Sequence, residues 1–461
     1  MPIGPDVRAA LVAVVGEAWI KDDDGARLLY GTDALQRGAA ADLVLLPGSA
    51  DQVAAIARLC HGHRVPLTVR GAGTGYTGGA VPVRGGVLVS MERFDRILEI
   101  DEENLLAVVQ PNVLTADLQE AVEARGLFYP PDPASRKISA LGGNVAECAG
   151  GPRAVKYGTT RRYVLALEAV LPTGEVIRTG SKAVKNVVGY DLTQLLVGSE
   201  GTLAVLTEIT VRLIPKPVAV ATLQATFADV SRAVRGVTAL LAARVVPATI
   251  ELVDGGALAA VERHLGRSVV PAGTGALLIV EMDGQPAGVE EEVDVVQRAL
   301  GSAGAFTVRR AASEAERDAL WEARRELSFA LRAAAPRKIN HDVSVPRGRL
   351  PQLFDLIARL EREHRLWIPS FGHAGDGNVH VNIMVNPADA DEMARAEGAA
   401  LALFKGVVAL EGSISGEHGI GFAKAPYLSV ELAPEVIALM QRLKAAFDPH
   451  GILNPGKIWI E

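Results

Sequence analysis

The stretch from Arg70 to Gly86, RGAGTGYTGGAVPVRGG, is the most glycine-dense in the chain and limits the folds open to it. It follows a β-rich run, VPLTVR, and Gly73, Gly75 and Gly78 satisfy the G-x-G-x-x-G spacing of a dinucleotide-binding turn. That turn works only if a helix opens at the last glycine and aims its N-terminus at a pyrophosphate. Here Gly79, Pro82, Gly85 and Gly86 follow, and they cannot sustain a helix. A Rossmann nicotinamide site fails on its own required context. The backbone chemistry survives, because consecutive glycines let N–H groups converge on an anion without Cβ obstruction. A plain cluster of turns would carry the same glycines. The balance moves towards binding because PPDPAS, GGNVAECAGG and GSEGTLAVLTEI add three more rigid, small-residue loops, as an extended ligand threaded along backbone would need.

Around these loops the chain alternates in a readable way. Residues 43–70 carry the pattern strand, helix, strand, with Ser49 and Gln52 as a capping box, and an amphipathic helix is predicted at the start of the chain. Short strands are predicted over 87–111 and a helix over 115–125. FYPPDPASRK and LGGNVAECAGGPRAVKYG hold too many Gly and Pro for regular structure. Strands return at YVLALEAVLPTGEVIRTG and TLAVLTEITVRLIP, and Pro215 with Pro217 marks a boundary. From 220 to 311 strands and helices follow in the order of a ferredoxin-like sheet, with one extra helical pattern at GGALAAVERHLG. Helices are predicted over 312–334, at LPQLFDLIARLEREH, and in the tail, where Pro449 and Gly451 stop the last one.

Composition narrows the function classes. At 461 residues the chain is too long for one ordinary core, and its 49% hydrophobic content suffices for two or three. The charge balance, 47 − 54 = −7, argues against nucleic acid and requires an anionic substrate to meet locally placed cations. The two cysteines, Cys60 and Cys148, cannot supply the four thiolates of an iron–sulfur cluster. The opening lacks a basic n-region, and no uncharged apolar run reaches the ~18 residues of a spanning helix. A cytoplasmic protein without a membrane span is expected.

Three of the nine histidines fall in two glycine-punctuated motifs, SFGHAGDGNVHVNIMV and GSISGEHGIG. His373 and His380 flank a Gly-Asp-Gly-Asn turn that predicts a hairpin, with Asp376 shaping the turn. Period-two alternation puts His380 and Asn382 on one strand face. With Glu417, the two imidazoles make a three-ligand set for a divalent metal that leaves positions for substrate. A lone strand histidine is more often packed or exposed, which is the account of His61, His63, His264, His364 and His450. Spacing alone leaves the pair His373/His380 evenly balanced between the two roles.

Together, PLTVRGAGTGYTGG, PPDPASRKISALGGNVAECAGGPRAVKYG, VVGYDLTQLLVGSEGTLAVLTEI and FDPHGILNPGK resemble the FAD-binding domain of the vanillyl-alcohol-oxidase (PCMH) type. The nearest branch is that of the FAD-linked D-2-hydroxy-acid dehydrogenases: the glycolate oxidase flavin subunit, D-lactate dehydrogenase and D-2-hydroxyglutarate dehydrogenase. The resemblance implies an α+β fold: a PCMH-type FAD-binding domain over 1–217, a ferredoxin-like cap with an antiparallel sheet and the metal site over 218–425, and a segment, 426–461, that returns to the FAD domain. It implies that Arg70, Gly71, Ala72, Gly73, Thr74, Gly75, Thr77 and Gly78 hold the FAD diphosphate. Pro131, Asp132, Ser135, Gly142, Gly143, Asn144 and Gly150 would line the flavin and its ribityl chain, Gly201 and Ile209 the adenine end, and Asn454 the isoalloxazine. Cys148 departs from the family, in which many members carry Asn, and a thiol cannot reproduce an amide's hydrogen bonds.

The same resemblance assigns His373, His380 and Glu417 as metal ligands, zinc fitting best and Mn or Fe(II) nearly as well, with His418 as the neighbouring base. Arg324 matches the family's W-x-x-R motif and is expected to clamp a substrate carboxylate; Ser328 shares its helix face. Asn382 is expected to be a further substrate contact. Dicarboxylate-handling members carry Lys where this chain has Asn340, and Lys338 is expected to substitute from a different direction. The implied reaction oxidises a D-2-hydroxy acid to the 2-oxo acid: His418 takes the hydroxyl proton and hydride passes from Cα to FAD. Electrons then leave to an iron–sulfur subunit, an electron-transferring flavoprotein or a quinone, through which the protein would be membrane-peripheral; a homodimer is compatible. The rivals are a metal-free FAD oxidase of alcohols or sugars and a non-catalytic FAD-binding subunit.

Overall fold

Three β-branched runs, Leu43–Leu45, Val87–Ser90 and Leu67–Arg70, pair in parallel in that order, and Ile20–Lys21 adds an antiparallel edge. The computed structural model describes residues 3–460, and these runs belong to the first of two units into which the chain divides. That unit comprises the chain up to Gly150, Thr159–Lys216, and everything from Glu417 onwards. Its helix Ala50–His63 starts as the sequence predicts: Ser49 Oγ accepts the Gln52 N–H at 3.3 Å, while Gln52 Oε1 returns to the Gly48 N–H at 2.7 Å. The helix buries Val53, Ile56, Ala57 and Cys60 against the parallel strands. The chain's tail joins the same core, because Leu67 donates to the Ile452 carbonyl and accepts from the Asn454 N–H at 2.8 and 2.7 Å. A second, five-stranded antiparallel sheet runs Ile97–Asp101, Leu106–Val109, Val205–Arg212, Val164–Val170, Val176–Gly180.

One expectation is corrected here. Leu141–Glu147 is helical, not irregular. Glycine propensity loses to packing: Leu141, Asn144 and Val145 are buried, and a Cβ at Gly142 would stand 2.5 Å from that of Pro111. The helix closes on Cys148 in the left-handed region, φ +55°, a conformation Asn tolerates better than Cys.

The second unit comprises Gly151–Gly158 and Pro217–Gly416 and is built on a seven-stranded antiparallel sheet. Its strands lie in the order Thr307–Arg310, Ala219–Phe227, Ala276–Gly284, Thr249–Asp254, Ser370–His373, Asn378–Val385, Arg337–Ser344. Read across the sheet, the first four are fourth, first, third and second in chain order, as a ferredoxin-like sheet requires. The last three extend it. PRKINHDVSVP, for which the sequence predicts no element, supplies the edge strand Arg337–Ser344. Helices Gly255–Leu265 and Glu314–Ala334 cover one face, packing Ala257, Val261, Ala323 and Leu327 on Val253, Leu277, Ile279 and Phe371. No described helix is long and apolar enough to cross a membrane.

Candidate active site

Register brings the second unit's polar residues together. His373 lies directly opposite Glu251 on one neighbouring strand, and His380 lies directly opposite Asp342 on another. The sheet face that packs on the Glu314–Ala334 helix thus carries two histidines, each with a fully buried carboxylate across from it. His373 Nδ1 is 2.5 Å from Glu251 Oε1, and His380 Nδ1 is 3.6 Å from Asp342 Oδ1. The two imidazoles stand edge to face, with ring centroids 5.3 Å apart. Asp376 shapes the intervening turn as expected, accepting the Asn378 N–H at 3.1 Å. Gly377, at φ +90°, completes that turn, and a side chain there would overlap the Val345 carbonyl.

Both carboxylates are held from several sides. Asn378 Nδ2 and the Gly416 N–H donate to Asp342 at 2.6 and 2.8 Å. Glu251 takes Arg324 Nε at 2.5 Å on its other oxygen. Burial works to raise the Glu251 carboxyl, but the charges on His373 and Arg324 outweigh it and hold it below the usual range. The Arg324 guanidinium lies 4.8 Å above the Phe371 ring. Among the described residues its two Nη groups have no partner, so the outer fork is open to a carboxylate. Arg325, on the same helix, is exposed and pairs with Asp318 instead.

Ser328, four residues after Arg324, accepts from Lys338 Nζ at 3.3 Å. Burial, with Arg332 and Arg324 nearby, pushes the Lys338 ammonium down to about 8. Lys338 and Asn340 are i and i+2 on one strand and share a face. Asn340 Nδ2 donates to Asn382 Oδ1 at 2.8 Å, and Asn340 Oδ1 is buried without a partner.

In the first unit the glycine loop and the GEHG motif meet. Thr77 Oγ1 donates to the His418 carbonyl at 3.1 Å, the Phe422 N–H donates to the Thr77 carbonyl at 3.1 Å, and Tyr76 stacks on His418 with centroids 5.3 Å apart. Glu417 lies against Gly150, where a Cβ would stand 2.7 Å from Oε2. Glu200 receives the N–H groups of Ile420 and Gly421 at 2.8 and 2.6 Å, although burial pushes its carboxyl up. The N–H groups of Ala72, Gly73, Thr74 and Gly75 make no hydrogen bond among the described residues. Asn454 Nδ2 bridges the carbonyls of Gly79 and Glu200 at 2.9 Å each, while its buried Oδ1 has no partner among the described residues. A cleft opens beside them, lined in part by Gly71, Gly142 and Gly201. Free donors, an orphaned acceptor and a glycine-walled cleft fit a nucleotide cofactor with phosphate and heterocyclic N–H groups.

Arg70 turns back to donate to the carbonyls of Tyr30 and Thr32 at 2.8 and 2.7 Å, bracing the loop from behind. Asn144 Nδ2 donates to Thr115 Oγ1 at 2.6 Å, and Ile209 is fully buried in mid-sheet. Gly143 stays open, with nothing within 4 Å of a Cβ built on it. Pro131 is buried, and its carbonyl accepts from Gln119 at 2.9 Å; Asp132 and Ser135 are part-buried.

Comparison with known proteins completes the picture. Residues 41–180 match the FAD binding domain model, and residues 216–458 match the model of the C-terminal domain of FAD linked oxidases. The chain belongs to the FAD-linked oxidases. It is 43% identical to glycolate oxidase subunit GlcD of Bacillus subtilis, over 99% of this chain and 97% of that one. It is 38% identical to D-lactate dehydrogenase of Anaerostipes hadrus, over 89% and 88%. p-Cresol methylhydroxylase shares the fold at a TM-score of 0.82 and 17% identity, covering 99% of this chain and 96% of that one. 4-Ethylphenol oxidase from Gulosibacter chungangensis does so at 0.80 and 20%, covering 99% and 97%. The protein is thus an FAD-dependent oxidoreductase with the expected α+β, PCMH-type fold.

Glu251 and Asp342 escape the sequence-based account of this FAD-linked oxidase. Both leave a signal: Glu251 is the single charge inside ATIELV, and Lys338, Asn340 and Asp342 put polar groups at every second position. What the sequence lacks is the register that sets each carboxylate across from a histidine.

Proposed function

We propose that the protein is a flavin-dependent dehydrogenase that oxidises a D-2-hydroxy acid to the 2-oxo acid with the help of a divalent metal. The observation that carries this reading is the pair His373/His380, side by side and each facing a buried carboxylate, on the sheet face where Arg324 offers an open fork. The names of relatives that act on glycolate and D-lactate support it. When bound, FAD supplies a hydride acceptor and the cation supplies Lewis acidity at a hydroxyl oxygen.

The remaining work falls to this chain's side chains. His373, His380 and Glu417 would hold the cation; Glu417 is bonded directly to Gly416, whose N–H Asp342 retains opposite His380. Two nitrogens and a carboxylate suit Zn²⁺, and Mn²⁺ or Fe²⁺ accept the same donors. Arg324 grips the substrate carboxylate through its Nη groups. His418, stacked on Tyr76 of the glycine loop, takes the 2-hydroxyl proton. Ser328, Lys338 and Asn382 line the space for the substrate's side chain. In domain terms, the first unit, which takes back the chain from Glu417 rather than from the expected 426, binds FAD, and the second unit forms the cap. With only Cys60 and Cys148 available, electrons leave through an external iron–sulfur subunit, flavoprotein or quinone.

Anaerobic titration of the FAD-loaded protein with paired D- and L-2-hydroxy acids tests this directly. Bleaching of the flavin band by D acids, with L acids inert, is expected. Bleaching by L acids alone, or by none of either series, overturns the reading.

A further inference from the structure

Glu251 belongs to two sites at once. One carboxylate oxygen meets His373 Nδ1 and the other meets Arg324 Nε, both at 2.5 Å, and the side chain is fully buried. Because Glu251 occupies Nδ1, it presents the opposite ring nitrogen, Nε2, for coordination and increases the ring's basicity. Because it also neutralises Arg324, it weakens the pull of that guanidinium on any other anion. A single charge thus serves two neighbours and cannot serve both fully.

We propose that Glu251 is a positioning residue that couples the metal site to the substrate-carboxylate site through the chain His373–Glu251–Arg324. The inference rests on the metal and clamp roles proposed above. A carboxylate arriving at Arg324 takes over part of the guanidinium's demand, leaving more of the Glu251 charge to His373. Metal and substrate therefore reinforce one another, and by linkage each tightens the other by the same factor. Asp342, opposite His380, accepts from Asn378 Nδ2 and the Gly416 N–H, both neutral donors.

The coupling predicts opposite effects on two ligands, which loss of a merely structural contact would not produce. Glu251→Gln keeps the shape and removes the charge. Zn²⁺ then loses affinity by about 10- to 100-fold, as expected when the outer partner of a ligating histidine is removed. Propionate, a carboxylate without a hydroxyl, binds more tightly because Arg324 has lost its internal counter-charge. Glu281 provides a matched control: it is buried on the same sheet face and ties Arg317 and Trp321 of the same helix at 2.9 Å each, but touches neither histidine.

The test uses full-length, FAD-loaded protein stripped of metal by a chelator and titrated calorimetrically with Zn²⁺ alone, with propionate alone, and with Zn²⁺ in saturating propionate. In the wild type, propionate should tighten Zn²⁺ by about fivefold or more. Glu251→Gln should abolish that gain while shifting the two single affinities in opposite directions, and Glu281→Gln should shift neither. If Glu251→Gln does not fold, Glu251→Asp keeps the charge on a shorter arm and should weaken Zn²⁺ without tightening propionate. No Zn²⁺ binding in the wild type, or binding indifferent to His373→Ala, defeats the metal reading and this inference with it. His373-dependent Zn²⁺ binding that propionate leaves unchanged, or a Glu251→Gln profile matching the wild type, defeats the coupling alone.

Discussion

The loop at 71–78 and the polar row on the seven-stranded sheet solve the problem of binding with opposite materials. The loop offers backbone: N–H groups at Ala72–Gly75 that are unpaired among the described residues, and glycines where side chains would intrude. The row offers side chains whose positions follow from strand register, each histidine set against its carboxylate by direct cross-strand pairing. Backbone recognition resists replacement of side chains but fails when a Cβ is added. Side-chain recognition tolerates a change of scaffold but fails when one group is removed.

The sharpest way to break that contrast is His380→Ala. It should cut the rate of anaerobic flavin reduction by a D-2-hydroxy acid by ~10²-fold or more and lower the metal content, with bound flavin unchanged; stopped-flow absorbance and elemental analysis read the two. Loss of flavin along with metal would mean that the two regions are not separable in this way.

Gly78→Ala attacks the loop from the other side. Gly78 sits at φ +82° and a Cβ there would overlap the Phe422 ring, so a cost of about 1–3 kcal/mol and a purified protein short of flavin are expected. Differential scanning calorimetry and the ratio of flavin to protein absorbance check both. Gly143→Ala separates cradle from fold: with open space at its Cβ and helical backbone, the apoprotein should gain up to about 1 kcal/mol while FAD affinity falls. Unchanged FAD affinity would remove Gly143 from the cradle.

Arg324→Lys tests the clamp. A lysine keeps the charge but cannot serve Glu251 and a carboxylate with one planar fork, so KM for the acid should rise about tenfold, and kcat less, in steady-state assays.

A pH effect separates the buried acids of this sheet. Asp254 caps the Gly255–Leu265 helix, accepting the Ala257 N–H at 2.7 Å, and burial pushes its carboxyl up to about 7. A raised carboxyl favours the protonated native state, so its contribution to stability is complete below about pH 4 and is lost as pH rises towards 7. Asp254→Asn lacks that dependence. Its stability relative to the wild type should climb between pH 4 and 7 in urea melts, and a flat difference would contradict the assignment.

Much of this molecule was legible in its sequence because the signals were local. Pro82 after the glycines ruled out the Rossmann turn, the Ser49–Gln52 cap placed a helix start, and the GDGN turn placed a hairpin that does set His373 beside His380. What escaped depends on distant pairing. Nothing adjacent in sequence puts Glu251 across from His373, since the two are 122 positions apart. The Leu141–Glu147 helix is hidden for a related reason: Gly142 approaches Pro111 closely, and that packing outweighs local propensity. The left-handed φ at Cys148 likewise became visible only once the helix ending there was known.

The central claim, that two register-matched histidines carry a catalytic cation, is tested most directly by reconstitution. FAD-loaded protein is stripped with a chelator, mixed anaerobically with D-lactate, and then supplied with Zn²⁺, Mn²⁺ or Fe²⁺ while flavin absorbance is followed. The account predicts slow reduction in the stripped protein and recovery that saturates near one cation per chain, absent from His373→Ala and His380→Ala. Reduction at the full rate in thoroughly stripped protein would contradict it.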